Sequence, residues 1–504
     1  MIGHGPDELV NVGNQKQLFA DDWLVQSAYK VQRVYHSPLK LGANPVLGRE
    51  ADGRFPHCSL GTVLLDEGLF RMWYSAGRFR GPRQLRAMGI AYACSDDGVT
   101  WSRPELGLCE YAGSRRNNLL MAAELPGAVY GPSVMLAGPI LTVGSHYAMV
   151  YYQTRLPNAS RGVAVAFSDD GIRWDPHVSS PVWQTPADHV AEDLGMGTGD
   201  DVVTCVFDPS KGRYVAHRRI MSDEFAVYRP GLDDAYRPDL DDFLRVQARA
   251  ESEDLLAWLG HQVTLAPTLQ DACDTEYYGF TPFLYESLYL GFLTAYHTDD
   301  LTLDVYLRQS RDGIDWQRAG VLPFIPRGKE GAFDHQMVWF PCSPIEWGDQ
   351  LLIYYGGCDY PHSLEDERWG DAAIGLARLR LDGFVSLFSN KPNACIVTKA
   401  FQCAHGELVL NADSRRGSLS VEVLSEEGHP ITGYTRAGCK VDLSTHPYHS
   451  SLGQTEGGDS VRGFVSWADD RRLSDLAGRA IRLRIYLQNC HLYALQISDS
   501  ASPS

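Results

Sequence analysis

The chain has 504 residues, more than the ~250–300 residues that one hydrophobic core usually supports, so it holds several domains or one domain built by repetition. Its 44% hydrophobic and 21% charged residues are typical of a soluble globular protein. The formal net charge of −18 argues against binding to nucleic acid or anionic lipid, because both require clustered lysine and arginine.

The sequence shows no membrane-spanning or secretory segment. No run of about 18 apolar residues is present, and the stretch from Met1 to Leu9 lacks the basic region and apolar run of a signal peptide. The 11 cysteines are an odd number without CxxC pairs, which indicates neither a disulfide framework nor a zinc site. We therefore expect a cytoplasmic protein, with a secretory protein whose signal has been removed as the alternative.

A short motif, Ser-x-Asp-Gly-x-x-Trp, recurs along the chain. Clear copies are Ser95–Trp101, Ser168–Trp174 and Ser310–Trp316, while Ser252–Trp258 has Leu at the Gly position and Asp382–Phe384 is weaker still. The intervals between the aspartates of successive copies are 73, 84, 58 and 70 residues. Ser and Asp side chains cap backbone N–H groups in turns, Gly accepts a positive φ, and Trp packs between sheets. The pattern therefore predicts five copies of one supersecondary unit.

Three predicted strands precede each motif: a short apolar run, an aromatic strand such as Tyr147–Tyr152, and an alternating strand such as Gly162–Phe167. With the Trp-bearing strand that follows, they make a four-stranded antiparallel blade. Five blades predict a five-bladed β-propeller over residues 20–390, after a lead-in of residues 1–19. A miscounted blade is the alternative, because the last motif is weak. The longest interval predicts an insertion around residues 222–242, either an exposed loop or a rim of the active site.

The pattern changes after about residue 390. Period-2 strands are predicted at residues 406–411, 418–424, 460–467 and 481–487, separated by Gly, Asp and Ser turns. Residues 391–504 therefore read as an accessory β-sandwich. We expect it to brace the propeller, with carbohydrate binding as the alternative.

Several short segments carry a family resemblance. They are Leu18–Trp23, Asn44–Leu47, Met72–Tyr74, Asn117-Asn118 and Tyr354–Gly357. Together with the motifs and the C-terminal strands, they make the chain resemble the invertase, levanase and arabinanase superfamily of propeller glycosidases, most closely a bacterial branch with a C-terminal β-sandwich. The resemblance implies an all-β fold and a glycoside hydrolase that cleaves a furanoside or short oligosaccharide.

The candidate site is expected where the inner strands of the blades begin, because these strands line the channel of a propeller. Glycoside cleavage uses two carboxyl groups, one protonated and one ionised. The expected catalytic residues are Asp201, Glu276 and Asp334, and a period of two lets only one of Asp200 and Asp201 face the channel. The expected substrate-binding residues are Asp52, His57, Trp73, Tyr130, Asp200, Arg218, Tyr278 and His335.

Two other functions stay open, because the chain lacks the invertase-type Trp-Met-Asn-Asp-Pro, Arg-Asp-Pro and Glu-Cys motifs. The first is an inverting glycoside phosphorylase, which would be favoured if basic residues that bind phosphate converged beside a single acid. Arg218 and Arg219 either contact a carboxylate or phosphate or form an ion pair in the wall of the channel. Aromatic rings without two acids in reach favour a non-catalytic carbohydrate-binding propeller. The acidic net charge suits a neutral sugar. The sequence predicts no required cofactor and no metal-binding residues, although a structural calcium ion in the central channel stays an alternative. The oligomeric state is not predicted.

Overall fold

A computed structural model describes residues 9–48, 55, 57–78, 87–111, 113–122, 127–138, 144–155, 161–184, 202–222, 244–362, 372–444, 446–449 and 458–498. These residues form β-strands and three single 3-10 turns, at Arg436–Gly438, Ala468–Asp470 and Leu473–Leu476, and no α-helix. In the same ranges, no helix has the length and apolar character needed to cross a membrane. The all-β class predicted from the sequence is confirmed.

Four short strands come first in the chain. They are β1 (Gln17–Leu18), β2 (Val25–Tyr29), β3 (Gln32–Tyr35) and β4 (Leu39–Lys40).

Five antiparallel groups of strands follow, here called units 1 to 5. Unit 1 has β5 (His57–Asp66), β6 (Leu69–Arg78), β7 (Ala87–Ser95) and β8 (Leu119–Ala122); unit 2 has β9 (Gly127–Leu136), β10 (Tyr147–Arg155), β11 (Arg161–Ser168), β12 (Asp175–Pro176) and β13 (Trp183–Gln184); unit 3 has β14 (Val203–Asp208), β15 (Arg213–Ser222), β16 (Leu244–Ser252) and β17 (Leu259–Leu265); unit 4 has β18 (Thr275–Tyr285), β19 (Leu288–His297), β20 (Thr302–Ser310) and β21 (Gln317–Arg318); unit 5 has β22 (Met337–Trp339), β23 (Ile345–Trp347), β24 (Gln350–Cys358) and β25 (Ala373–Arg380). Within each unit, neighbouring strands pair antiparallel, with β13 beside β11, and with β22 and β23 both beside β24. Parallel pairing of β7 with β9 joins units 1 and 2, and that of β20 with β22 joins units 4 and 5. Strand β4 completes unit 5 by pairing with β25 at Lys40↔Ala377.

The repeated motif forms the turn that the sequence predicts. In the first copy, Asp97 Oδ1 accepts the backbone N–H groups of Val99 and Thr100 at 2.8 and 2.7 Å, and Ser95 Oγ accepts that of Gly98 at 2.9 Å. Equivalent carboxylate bonds form in the copies built on Asp170, Asp254 and Asp312. Gly98 has a φ of 70°, whereas the degenerate copy places a non-glycine residue, Leu255, at a φ of 66°.

Hydrogen bonds link each unit to the next. They are Thr62 Oγ1 to Pro132 O at 3.2 Å (units 1 and 2), Ser133 Oγ to Cys205 O at 2.9 Å (units 2 and 3), Thr204 Oγ1 to Phe280 O at 2.5 Å (units 3 and 4), Phe340 N to Thr294 Oγ1 at 3.1 Å (units 4 and 5) and Trp339 Nε1 to Ser59 Oγ at 3.3 Å (units 5 and 1). Because the last bond returns to unit 1, the units contact one another in cyclic order.

The C-terminal strands form two sheets around one apolar core. The strands are β26 (Val385–Ser389), β27 (Cys395–Thr398), β28 (Phe401–Gln402), β29 (Glu407–Asp413), β30 (Ser418–Ser425), β31 (Lys440–Asp442), β32 (Asp459–Ser466), β33 (Ala480–Gln488) and β34 (Cys490–Ser498). One sheet has the order β3-β26-β34-β29-β32-β31 with β1 beside β34, and the other has β2-β27-β33-β28 with β30 beside β33. Their shared core includes Phe19, Leu410, Val421, Trp467 and Ile485.

Strand pairing differs from the predicted boundaries at both ends of the propeller region. The predicted boundaries assign β1 to the lead-in and β2, β3 and β26 to the propeller, yet all four pair within the C-terminal sheets. An alternating pattern identifies a strand but does not identify its partner, which explains the difference. The predicted insertion, residues 222–242, lies outside the described residues except for Ser222.

Replacing Asp97 with Ala is expected to lower the free energy of unfolding by about 1 kcal/mol, since an exposed cap contributes at the level of single hydrogen bonds. The pKa of Asp97 is lowered to about 2, mainly by the backbone N–H groups of Thr100 and Val99. Because the folded-state pKa is below the unfolded value of about 3.9, the stabilisation is present above that pH and is lost as the pH falls toward the folded value. Chemical unfolding at neutral and acidic pH measures the effect. Asp96→Ala is the control, and equal stability of the two variants at neutral pH would contradict the prediction.

Candidate active site

The ends of three strands meet where units 3 and 4 adjoin. In an antiparallel unit, the start of the first strand, the end of the second and the start of the third lie at the same end of the sheet. Accordingly, the start of β18 lies beside β15 and β16, and Gln247 Nε2 of β16 donates to Tyr277 O of β18 at 2.8 Å. Glu276, the second residue of β18, lies at this end of the sheet.

Glu276 forms an ion pair across this junction. Nη1 of Arg245, at the start of β16, donates to Glu276 Oε2. The side chains of Glu276 and Arg245 are 13% and 16% exposed, so the pair is mostly shielded from water. The contact is a charge-assisted hydrogen bond between a guanidinium and a carboxylate.

Aromatic and basic groups surround this ion pair. Tyr296 lies opposite Glu276 on β19, and Cζ of Arg245 lies 5.1 Å from the centroid of its ring. Tyr278 is half-buried, and its hydroxyl is 2.9 Å from Nε2 of His362. Cζ of Arg219, near the end of β15, lies 4.1 Å from the centroid of Tyr278. Among the described residues, this cluster brings together two guanidinium groups, one carboxylate, two phenols and one imidazole.

A second charged group lies on the opposite face of the same strands. His297 pairs with Thr275, next to Glu276, and its Nε2 is 3.5 Å from Asp304 Oδ2 while its Nδ1 is 3.6 Å from Asp274 Oδ1. The hydrogen bond with Asp304 raises the pKa of His297 above its usual value. This network therefore lies next to the candidate site along β18 and β19 but on the other face of the sheet.

Asp334 occupies a different environment from Glu276. It is 2% exposed, and its Oδ2 accepts bonds from Lys40 Nζ at 2.5 Å and from the Tyr355 hydroxyl at 2.9 Å. Burial, followed by the charge of Asp334, raises the pKa of Tyr355, so this phenol stays protonated and donates. The prediction that Asp334 is catalytic is corrected: its carboxylate ties strand β4 to unit 5 and is closed to a substrate.

Trp73 is a second correction. The residue is fully buried, its Nε1 donates to Gly171 O at 2.8 Å, and its ring packs against Tyr147 and Trp174 between units 1 and 2. The ring therefore cannot stack on a substrate. In an aromatic strand, the sequence does not show which rings are buried between neighbouring units and which reach the surface.

The other predicted residues have separate positions. His57 begins β5, is 8% exposed and bridges to Ala372. Tyr130 packs with its ring centroid 5.5 Å from that of Tyr152. His335 has Nδ1 3.3 Å from Gly328 O. Their substrate-binding roles, like that of Tyr278, stay predictions, and Asp52, Asp200 and Asp201 lie outside the described residues.

Arg218 lies on the other face of β15 from Arg219, because consecutive residues of a strand alternate. Its Cζ is 4.0 Å from the ring centroid of Trp183 in unit 2, so Arg219, not Arg218, lies beside Tyr278. The prediction of Arg218 as a substrate-binding residue is not supported by this placement. Sequence reasoning also missed Arg245, Tyr296 and His362. The one available signal for Arg245 was a charged residue at the start of a predicted third strand.

A cleft of about 830 Å³ lies elsewhere, lined by loops of units 4 and 5 and by C-terminal strands. Its residues include Glu286 and Asp382, which both pair with Lys16. Glu286 follows β18, whereas Glu276 begins it, and an extended strand of that length separates them by roughly 30 Å. The cleft and the Glu276 cluster are therefore different places. In the part of the chain that the structure describes, no group of three or more His, Cys, Asp or Glu side chains is placed to hold a metal ion.

Comparison with known proteins gives likenesses of fold only. No family model matches the chain, and no curated protein matches it. Similar solved structures include a glycosyl hydrolase from Bacteroides ovatus (15% identity, 73% of this chain and 97% of that chain, TM-score 0.45). Others are the α-L-arabinofuranosidase PaAbf62A from Podospora anserina (13%, 68% and 98%, 0.42) and the β-1,2-mannobiose phosphorylase from Listeria innocua (12%, 68% and 96%, 0.42).

Replacing Asp334 with Asn is expected to lower the free energy of unfolding by about 2 kcal/mol, because it leaves Lys40 without its buried partner and Lys40 is only partly exposed. Activity per folded molecule should stay unchanged. Thermal unfolding and kcat/KM on the same preparation measure the two effects. Asp22→Asn is the control, since Asp22 forms an exposed ion pair with Arg33 and should change stability little. Lost turnover with unchanged stability would restore the catalytic assignment of Asp334.

Proposed function

We propose that this protein is a carbohydrate-active enzyme that cleaves the glycosidic bond of a furanoside or short oligosaccharide, with Glu276 as one of its reacting carboxyl groups. The observation that carries the proposal is the shielded Glu276–Arg245 ion pair at the junction of units 3 and 4. The pair lies where strands β16 and β18 begin, and Tyr278, Tyr296 and His362 lie around it.

The proposal includes the finer architecture. We interpret units 1 to 5 as the blades of a five-bladed β-propeller, supported by the hydrogen bonds that join the units in cyclic order. We interpret the two C-terminal sheets as a β-sandwich, supported by their common core. In a propeller, Glu276 then belongs to an inner strand and lies at one mouth of the channel.

The chemistry divides between two carboxyl groups. An ionised carboxylate held by a guanidinium can attack the sugar or accept a proton from water, whereas a protonated carboxyl group assists departure of the leaving oxygen. Arg245 suits Glu276 to the first role. For the second, Asp201, or Asp200 in its place, stays the prediction, and the distance between the two carboxyl groups decides between retention and inversion of the sugar configuration.

Phosphorolysis is the second candidate, and a specific observation favours it. Among the described residues, Glu276 is the carboxylate in contact with Arg245. Arg219 and Arg245 both approach the ring of Tyr278. A basic environment beside one acid is the pattern expected of an inverting phosphorylase. Phosphate dependence of cleavage distinguishes the two reactions, and a folded protein without either activity would favour the carbohydrate-binding module.

Replacing Glu276 with Gln keeps the size of the side chain but removes its charge. We expect kcat/KM to fall by about 100-fold or more, as for loss of a reacting acid or base. The assay uses aryl furanosides, aryl pyranosides, fructans and arabino-oligosaccharides, each with and without phosphate.

The matched control is Glu251→Gln. Glu251 also pairs with an arginine of β16, Arg249, but lies near the other end of that strand. We expect Glu251→Gln to retain the activity of the unmodified protein. Full activity of Glu276→Gln would refute the assignment of Glu276.

A further inference from the structure

Two guanidinium groups reach the Glu276 cluster from one face of unit 3. In the pairing of β15 with β16, Arg219 is opposite Gln247, and Met221 is opposite Arg245. Opposed residues share a face, and so do residues two positions apart on one strand, so Arg219 and Arg245 are diagonal neighbours on the same face. Both approach Tyr278, with Cζ atoms 4.1 and 5.9 Å from the centroid of its ring.

The way these arginines are held directs their hydrogen-bond donors. A guanidinium stacked on an aromatic ring uses its π face, so its N–H groups point outward in the plane of the group. Arg245 gives one Nη1 bond to Glu276, and its buried Nε has no hydrogen-bond partner among the described residues. Planar forks of N–H donors match the oxygens of a carboxylate or a phosphate.

We propose that Arg219 and Arg245 form a subsite that binds an oxyanion beside Glu276. The proposal rests on the proposed function, because it assigns the subsite to the same site as cleavage. The oxyanion has two sources that share this chemistry: the carboxylate of an acidic sugar in the substrate, or inorganic phosphate as the attacking group. His362 and the hydroxyl of Tyr278 add polar groups at the same place.

The acidic net charge of the whole chain, which favours a neutral sugar, does not decide this point. Exposed charges farther away than about 10 Å are largely screened at ordinary ionic strength, whereas shielded charges a few ångströms away are not. The electrostatic field at the subsite is therefore set mainly by groups within a few ångströms, and among the described residues these include the guanidinium groups of Arg219 and Arg245 and the Glu276 carboxylate.

Direct binding tests the proposal without relying on turnover. Isothermal titration calorimetry of the full-length protein uses sodium glucuronate, sodium phosphate and glucose at constant ionic strength. We expect at least one of the two oxyanions to bind at least about tenfold more tightly than glucose, because charge-assisted bonds to arginine exceed neutral ones.

Variants locate the binding. Arg219→Gln and Arg245→Gln should each weaken oxyanion binding by about tenfold or more, and Arg219→Lys should fall between, because it keeps the charge but loses the planar fork. The matched control is Arg213→Gln on the same strand, since Arg213 pairs with Glu253 at the other end of β15. Circular dichroism and thermal unfolding verify that each variant is folded.

The outcomes separate the two sources and the two proposals. Binding of glucuronate alone supports an acidic sugar, and binding of phosphate alone supports phosphorolysis. Absence of both from the folded protein, or equal loss in Arg213→Gln, overturns the subsite. Glu276→Gln should bind the oxyanion as tightly as the unmodified protein or more tightly, since it removes a nearby negative charge. Full turnover by that variant refutes the proposed role of Glu276, and the binding result still stands.

Discussion

Completion of unit 5 by an N-terminal strand is the constraint on which the positions of the other elements depend. Strand β4 pairs with β25 as the outermost strand of that unit, and its Lys40 forms an ion pair with Asp334 just before β22. The first and last strands of the cyclic arrangement are thereby held in one sheet. Hydrogen bonds between successive units complete the cyclic arrangement, and the contact of units 3 and 4 brings Glu276 beside Arg245.

The same closure joins the cyclic units to the C-terminal sheets. Strands β1, β2 and β3 precede β4 and pair within those sheets, so the chain enters the units from the C-terminal part and returns to it through β26. Buried charges strengthen the joint: Arg380 of β25 binds Asp459 and Asn411, and Asp382 binds Lys16. Such an interface is expected of a domain that braces its neighbour, and the bracing role stays a prediction.

Glu276 and Asp334 show how neighbours decide the use of a side chain. Glu276 lies at the start of β18 and Asp334 just before β22, the first strands of units 4 and 5, and the sequence predicts a catalytic role for both. Asp334 is enclosed by Lys40 and Tyr355 and has little exposed surface, so its charge contributes to cohesion of the fold. Glu276 pairs with the guanidinium of Arg245 at a strand end where aromatic and polar side chains meet, an environment that supports the proposed role in cleavage.

The sequence by itself determined the repeated unit. Its features are local: a carboxylate that accepts two backbone N–H groups, a turn residue at positive φ, and alternating strands. Local features depend on a few neighbouring residues and can therefore be predicted from sequence, as the turn at Asp97 confirms. Contacts between distant segments were decided only by the tertiary structure. The burial of Trp73, the pairing of Lys40 with Asp334 and the contact of Arg245 with Glu276 each depend on segments that are distant in the chain. The alternation of side chains along a strand shows which residues share a face, but it does not show what packs against that face.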